Sequence, residues 1–463
     1  MRLSYQYRIK PTTEQKLKLN HIRRLSQYLY NKMLGERLSW WASNRCYVNA
    51  CPLVDYVDSC PLVDFEPLTL RDNPTYYDQK RLLPLLKQDL ILVEWSGELL
   101  DLSEPYSQVM QDVVKRVDLA MQRYIKGDKD GKRSGKPRFK SEATYKSFTY
   151  TQVLPNWLKG KYINLTKIGN VEIILHRTIP EGFTVKTCIV SKKADGWYIT
   201  LTLEDKRVPE LTPDEIVANW ENSTGLDAVL HENTFLATSN GDLITARKAY
   251  RTNQAKLQKV SSKKSSKRKG SRSRRKLAKQ SARIHQRIAR SRKDHHYNTS
   301  HTLAKTGKRV FFVEDLALKN LTKRNKPLRD DKGNYLPNGQ SSKSGLNKSF
   351  QDAGFGQFVD ILTHIVAKTG GQVVKVKPNY TSQICCCCDN LVEKELSDRI
   401  HRCEKCSVVL DRDINAAINI KRVGLDVFPT IKRRKGKIVV QSCAPNSTLK
   451  EILELTRSLH RTD

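Results

Sequence analysis

No stretch of the chain approaches the roughly 18 consecutive apolar residues that a membrane-spanning helix needs. The opening residues, MRLSYQYRIKPTTEQ, lack the apolar core of a secretion signal. Both absences argue against a secreted or membrane enzyme. Acidic residues are also scarce: 48 Asp and Glu stand against 83 Lys and Arg in 463 residues, for a formal net charge of +35. A charge that large repels itself, and a polyanion relieves it, with nucleic acid the default partner. Cysteine is sparse outside one cluster: of 11, six lie between 385 and 406, and the rest are Cys46, Cys51, Cys60, Cys188 and Cys443. An odd count without a secretion signal argues against a disulfide scaffold and for a metal site in a reducing compartment. At 38% hydrophobic, the chain can build cores, and its length suits two to four domains.

Residues 3–9 read as a strand, ended by Lys10-Pro11. Thr12 and Gln15 form a capping-box pattern, which predicts a helix from about Glu14 to Trp41. Residues 43–75 carry the duplicated CPLVD (51–55 and 60–64) and read as a variable insertion. Three cysteines there lack an obvious fourth ligand. Helical periodicity is expected from Pro84 to about Lys126. After the basic, Gly-rich segment 127–147, five short apolar runs between Phe148 and Glu204 predict a small β-barrel, with the first strand as a candidate partner. Residues 205–219 read as a linker.

From about Ser223 strands and helices alternate, which predicts an α/β domain. Asn240-Gly241 marks a hairpin turn, and VFFVED (310–315) reads as a buried strand. Phe355–Lys368 is expected to be helical and QVVKV (372–376) a strand. Lys256 to about Leu303 reads as one long basic helix. Between Lys256 and Lys293 there are 17 Lys and Arg in 38 residues and no acid. A solvated charged face is the bland alternative. The missing acids favour phosphate contacts, with Lys263, Lys264, Lys267, Arg268, Lys269, Arg272, Arg274, Arg275 and Lys276 as candidates.

Cys385-x-x-Cys388 and Cys403-x-x-Cys406, separated by 14 residues, form a zinc-ribbon pattern one residue shorter than usual. Four thiolates suit tetrahedral Zn²⁺ and leave no open position, so the expected role is structural. A redox dithiol is the alternative. Cys386 and Cys387 are set aside, because only the 385/388 pair reproduces the two-residue gap.

Three carboxylates stand out by position. Asp227 lies in an apolar strand, Glu314 ends VFFVE, and Asp413 opens a helix after the ribbon. Gathered at strand ends, they could hold two Mg²⁺ ions for phosphodiester hydrolysis. An Asp at a helix start is also commonly just a cap.

The order of these motifs resembles the TnpB family of transposon-encoded RNA-guided DNA endonucleases. The matching residues are GLD (225–227), the basic helix, VED (313–315), YTSQICCCC (380–388), the second CxxC and DRDINAAIN (411–419). YQYRIKPTTEQ and GKPRFKSEATYKSFTY extend the resemblance to the N-terminal half.

The resemblance implies a multidomain α/β plus β-barrel fold. A wedge-type β-barrel (1–12 and 140–215) holds an inserted helical recognition domain (13–139). An RNase H-like RuvC domain (220–380 and 408–425) holds the zinc ribbon (381–407), and a basic tail (426–463) follows. It implies Asp227, Glu314 and Asp413 as the Mg²⁺-binding catalytic residues, with Asp411 the neighbour most easily confused with Asp413. It implies a guide RNA from the transposon end, target double-stranded DNA cut beside a short flanking motif, action as a monomer or dimer, and a cytoplasmic, nucleoid-associated location in a prokaryote. Lys136, Arg138 and Lys140 become candidate backbone contacts. Tyr145 and Phe148 are candidate stacking residues, with core packing the competing expectation. One departure is Val229, where the family has glycine; a valine there is expected to crowd the metal or substrate. A nuclease-inactive RNA-guided repressor and an RNA-independent zinc-ribbon DNA-binding protein remain as alternatives.

Overall fold

The computed structural model describes residues 1–44, 73–93, 97–128, 130–153, 156–207, 216–231, 233–377, 379–395, 398–434 and 437–441. Cys46, Cys51, Cys60 and Cys443, the duplicated CPLVD and the end of the basic tail lie outside these residues. The chain divides into two compact units, Met1–Pro209 and Glu210–Asp463. No helix among the described residues is long and apolar enough to cross a membrane.

In the first unit, β1 (Arg2–Lys10) alternates Leu3, Tyr5, Tyr7 and Ile9 inward with polar residues outward, the period-two pattern of a half-buried strand. The sheet it joins has seven strands: β2 (Ser147–Tyr150), β3 (Leu158–Lys159), β4 (Tyr162–Leu165), β5 (Gly169–Ile174), β6 (Thr184–Lys193) and β7 (Gly196–Glu204) complete it. The order is β2-β6-β7-β1-β5-β4-β3, and every pairing is antiparallel. The first strand, a candidate partner on sequence, therefore pairs with the later strands and sits mid-sheet. The ladder is open rather than a closed barrel among the described residues, but it curls. The Tyr150 hydroxyl on one edge strand donates to the Thr166 carbonyl beside the other edge at 3.0 Å.

The Thr12/Gln15 capping box is present, and it starts α1 (Thr13–Asn44). Leu25, Leu29 and Met33 recur every fourth residue, as a helix face requires, and share a core with Met110, Val113, Val117 and Met121 of α2 (Ser107–Ile125). The single helical stretch expected over 84–126 is broken. A four-residue helix at Leu83–Leu86 leads into a hairpin of Ile91–Val93 with Glu98–Leu100, and α2 begins only afterwards.

The second unit is built on a five-stranded sheet of β8 (Ser223–Ala228), β9 (Thr234–Thr238), β10 (Leu243–Thr245), β11 (Val310–Glu314) and β12 (Gln372–Val376). The order is β10-β9-β8-β11-β12; β8, β11 and β12 run parallel, while β9 and β10 are antiparallel. In β11, Phe311 and Val313 enter one core and Val310 and Phe312 the other, which explains the continuous apolar run of a strand covered on both faces. The expected long basic helix is two helices, α3 (Ala249–Ser265) and α4 (Arg272–Lys305). The run Ser266 to Ser271 breaks it at Gly270, whose φ of 84° lies outside the helical region. Then come α5 (Gln340–Ala353) and α6 (Phe355–Lys368), the hairpin strands β13 (Ile400–Arg402) and β14 (Val409–Asp411), and α7 (Arg412–Gly424). Within the basic tail, Thr430–Arg434 pairs with Lys437–Gln441.

Candidate active site and metal centre

Asp227 lies on the central strand β8 and is almost fully buried. Glu314 ends the neighbouring parallel strand β11, with Leu226 paired to Val313. Asp413 stands in the first turn of α7. The three carboxyl groups are close enough to act on one another. Burial raises the pKa of Asp227 well above the usual range, and the charges of Glu314 and Asp413 raise it further. Burial and the charge of Asp413 push Glu314 up to about 7. Asp413 is raised by burial and by Asp411, against the opposing pull of Arg399, Arg412 and His231. Carboxyl groups crowded this way bind protons more tightly than isolated ones, and a cation among them would oppose that shift.

Asp411 and Asp413 are distinguished by their bonds. The Asp411 carboxylate accepts from the amides of Asp413 and Ile414 at 2.8 and 3.2 Å and so caps α7. That cap leaves Asp413 as the member of the acidic group.

Cys385, Cys388, Cys403 and Cys406 place their sulfurs within 4.8 Å of one another. The Cys385–Cys406 and Cys388–Cys403 separations are 3.6 and 3.5 Å. Tetrahedral thiolates about 2.3 Å from Zn²⁺ sit roughly 3.8 Å apart, so the four fit one closed site. The Cys403 thiol is lowered to about 7, with backbone amides favouring its thiolate, whereas burial raises Cys406 to about 11. Cys386 and Cys387 stand outside the set; the Cys386 amide donates instead to Asn415 at 3.0 Å.

Residues that the sequence reading passed over join these two sites. Asn415 and Asn419, one turn apart on α7, both donate to the Ile384 carbonyl, at 2.9 and 2.7 Å. Asn419 also reaches the Thr381 carbonyl at 2.8 Å. Arg422, two turns on from Asn415 and fully buried, pairs with Asp389 at 2.6 Å. The helix that presents Asp413 is thereby fastened to the first CxxC turn. The signal was in INAAINIKR: polar side chains recurring at helical spacing within an apolar run require buried partners. Asp389 offered no such signal.

Val229, where the family has glycine, is a core residue in this chain. It is buried in an apolar cluster with Ala237, Val408 and Ile414, and its amide donates to the Phe235 carbonyl at 3.0 Å. Tyr145 and Phe148 are buried in the first unit's cores and are not available as stacking platforms. Lys136 and Arg138 are exposed, while Lys140 is half-buried with its backbone held by Asn31 and Gln27 of α1. Along the α3–α4 connection, Lys263, Lys267, Arg268, Lys269, Arg272, Arg275 and Lys276 are exposed and Lys264 is half-buried. Arg274 is committed elsewhere: it donates to the carbonyls of Lys264 and Lys267 at 3.0 and 2.9 Å and closes the turn.

Three family descriptions match the chain. OrfB_IS605, "Probable transposase", covers residues 208–325. The Cas12f1-like TNB domain covers 355–420, and the OrfB_IS605 "Helix-turn-helix domain" covers 1–46. In this chain residues 1–44 of the last span form β1 and the single helix α1. A Streptomyces pristinaespiralis protein named "Putative RNA-guided DNA endonuclease" is 27% identical over 428 residues, spanning 91% of this chain and 89% of its own length. InsQ of Escherichia coli K12, given the same description, is 28% identical over 364 residues, 78% of this chain and 85% of its own. The mimivirus TnpB-like protein L79 is 29% identical over 228 residues, 47% of this chain and 40% of its own. Among solved structures, a Cas12f1–sgRNA–target DNA complex aligns at 14% identity and TM-score 0.30, over 92% of this chain and all of its own. The mini-RNA-guided endonuclease CRISPR-Cas_phi3 aligns at 11% and 0.39, over 92% of each. In motif order, in its family matches and in relatives that span most of its length, the chain is similar to the TnpB family.

Proposed function

We propose that the protein is an RNA-guided DNA endonuclease. Its second unit is read as an RNase H-like RuvC nuclease domain and its curled seven-stranded sheet as the wedge. The observation that carries this reading is the convergence of Asp227, Glu314 and Asp413: Glu314 and Asp413 raise the proton affinity of Asp227, and Asp413 raises that of Glu314. Oxygen donors crowded in this way suit a hard divalent cation such as Mg²⁺. When bound, Mg²⁺ would activate water and stabilise the leaving oxygen of a phosphodiester.

The chain's own residues would do the rest. Asp227 supplies a carboxylate from the rigid centre of the sheet, Glu314 one from the strand end, and Asp413 one from the start of α7. The four cysteines would hold a structural Zn²⁺ that keeps α7 in place through Asn415, Asn419 and Arg422. The exposed lysines and arginines of the α3–α4 connection, with Lys136 and Arg138, would bind RNA or DNA backbone, while base pairing of the guide reads the sequence. The names of the Streptomyces and E. coli relatives agree with this activity. Val229, seated in the core, gives no support to the nuclease-inactive reading.

The test is cleavage of a plasmid carrying a guide-matched target, by protein expressed with its flanking transcript. Cleavage should require both Mg²⁺ and the matched guide, and Glu314→Ala should abolish it. A correct guide and target left uncut by the unaltered protein would sink the reading.

A further inference from the structure

A cleft of about 450 Å³ opens in the second unit among the β8–β9 loop and helices α3, α4 and α5. Sites that enclose small ligands commonly start at about 300 Å³. The cleft shares no residue with the carboxylate cluster, yet one loop serves both. Val229 and Leu230 line the cleft, and His231 lies within electrostatic reach of Asp413.

Four cations stand around it: Arg247, Lys248, Arg251 and Arg292. The neighbouring acids are already engaged. Asp294 pairs with Arg247 at 3.4 Å. Asp352 accepts from the Tyr250 and Arg251 amides at 2.8 and 3.0 Å, at the start of α3. Arg251 is held in place by the Gly345 carbonyl and the Ser349 hydroxyl at 2.9 and 3.0 Å. Arg292 is held by Gln351 and Gln357. Each guanidinium has five donors and uses two in these bonds, so both remain able to bind an anion.

The interior has a different character. Leu230, Phe235 and Ala353 make apolar wall. His296 is fully buried, and its Nε2 lies 2.8 Å from the Ala353 carbonyl. The proton belongs on Nε2, which leaves Nδ1 a bare acceptor, buried and without a partner. Nε2 of His295 is also buried and unpartnered. Burial holds the His296 ring neutral, with its pKa lowered to about 4. An unmet polar atom of this kind is costly, and a ligand that satisfies it gains accordingly.

We propose that this cleft is a nucleotide subsite. The heteroaromatic base lies against the apolar wall with an edge N–H donating to His296, and the phosphate sits among Lys248, Arg251 and Arg292. Inorganic phosphate would use the cations alone, and an apolar ligand would leave them and the ring nitrogens unmet. The proposal rests on the nucleic-acid reading above only for the source of the nucleotide, an unpaired strand position rather than a free monophosphate.

The test uses full-length protein stripped of nucleic acid by high salt. Calorimetry compares AMP with inorganic phosphate, and fluorescence follows a single-stranded oligonucleotide carrying 2-aminopurine. Lys248→Gln should weaken nucleotide binding about tenfold, the value of one charge-assisted contact. Ala246→Phe should block the cleft, and Lys326→Gln, exposed and outside the cleft lining, should change nothing. Binding of the oligonucleotide that both cleft variants weaken supports a strand source; the same sensitivity for AMP alone supports a free nucleotide. Phosphate binding as tightly as AMP, or neither probe responding to Lys248→Gln, overturns the proposal. None of these readouts needs cleavage, so Glu314→Ala protein serves equally well, and a failed nuclease reading would be told apart.

Discussion

A Cβ built on Gly225 would lie 2.1 Å from the Ala417 carbonyl oxygen. Strand β8 and helix α7 therefore touch backbone to backbone, a contact that only glycine permits. This approach fixes how far Asp227, two residues along the strand, stands from Asp413 at the start of the helix. Gly225→Ala must push α7 off the sheet. We expect a cost of about 1–3 kcal/mol in denaturant unfolding and a much larger loss of cleavage. Near-normal cleavage by a folded Gly225→Ala protein would show that the carboxylates tolerate the displacement.

The carboxylates should not be equivalent to their neighbour. Glu314→Gln and Asp413→Asn should each lower the cleavage rate by more than about 100-fold, the upper end of what an outer-shell change costs at a metal site. Asp411→Asn should retain most activity, because asparagine caps a helix about as well as aspartate. Single-turnover cleavage rates decide between them, and equal losses at 411 and 413 would merge their roles.

The metal centre makes a prediction about stoichiometry. Cys403→Ala should lose bound zinc, measured by elemental mass spectrometry. Cys386→Ala should keep one zinc per chain, because its sulfur is outside the four that converge. Loss of zinc from Cys386→Ala would reassign the ligands.

The Arg422–Asp389 pair is buried on both sides. Asp389→Ala would leave a guanidinium uncompensated, at a cost of about 3–5 kcal/mol. Combining it with Arg422→Met should restore much of that stability in chemical unfolding. A double variant as unstable as the single one would show that the charge is not the cause.

His296 should make stability depend on pH. Its folded pKa of about 4 lies below the ordinary 6.5, so the unfolded chain binds the proton first. This contribution is fully present above pH 6.5 and is lost as pH falls toward 4. In His296→Phe it is absent, so the stability difference between wild type and variant should shift across that window in favour of the variant. A constant difference from pH 7 to pH 4 would remove His296 as the source.

Much of the site could be read from local pattern. Period-two alternation identified β1, an unbroken apolar run identified β11, and paired CxxC turns identified the four cysteines, because each follows from geometry within a few residues. The break at Ser266–Ser271 was hidden by basic residues on both sides that are themselves good helix formers. The pairing of Ile91–Val93 with Glu98–Leu100 was hidden by apolar residues that suit a helix equally well. The burial of Val229 among Ala237, Val408 and Ile414 could not be read locally, because it is set by distant segments.

The sequence by itself determined the chemistry available: which side chains can bind phosphate, which thiols pair in a turn, and which carboxylates sit at the ends of apolar strands. These depend on residue type and short spacing. Only the tertiary structure decided that Asp227, Glu314 and Asp413 meet, that Asp411 is spent as a cap, and that two asparagines and a buried arginine tie the four-cysteine cluster to α7. Those facts depend on contacts between segments far apart in the chain, where close packing rather than local propensity selects the arrangement.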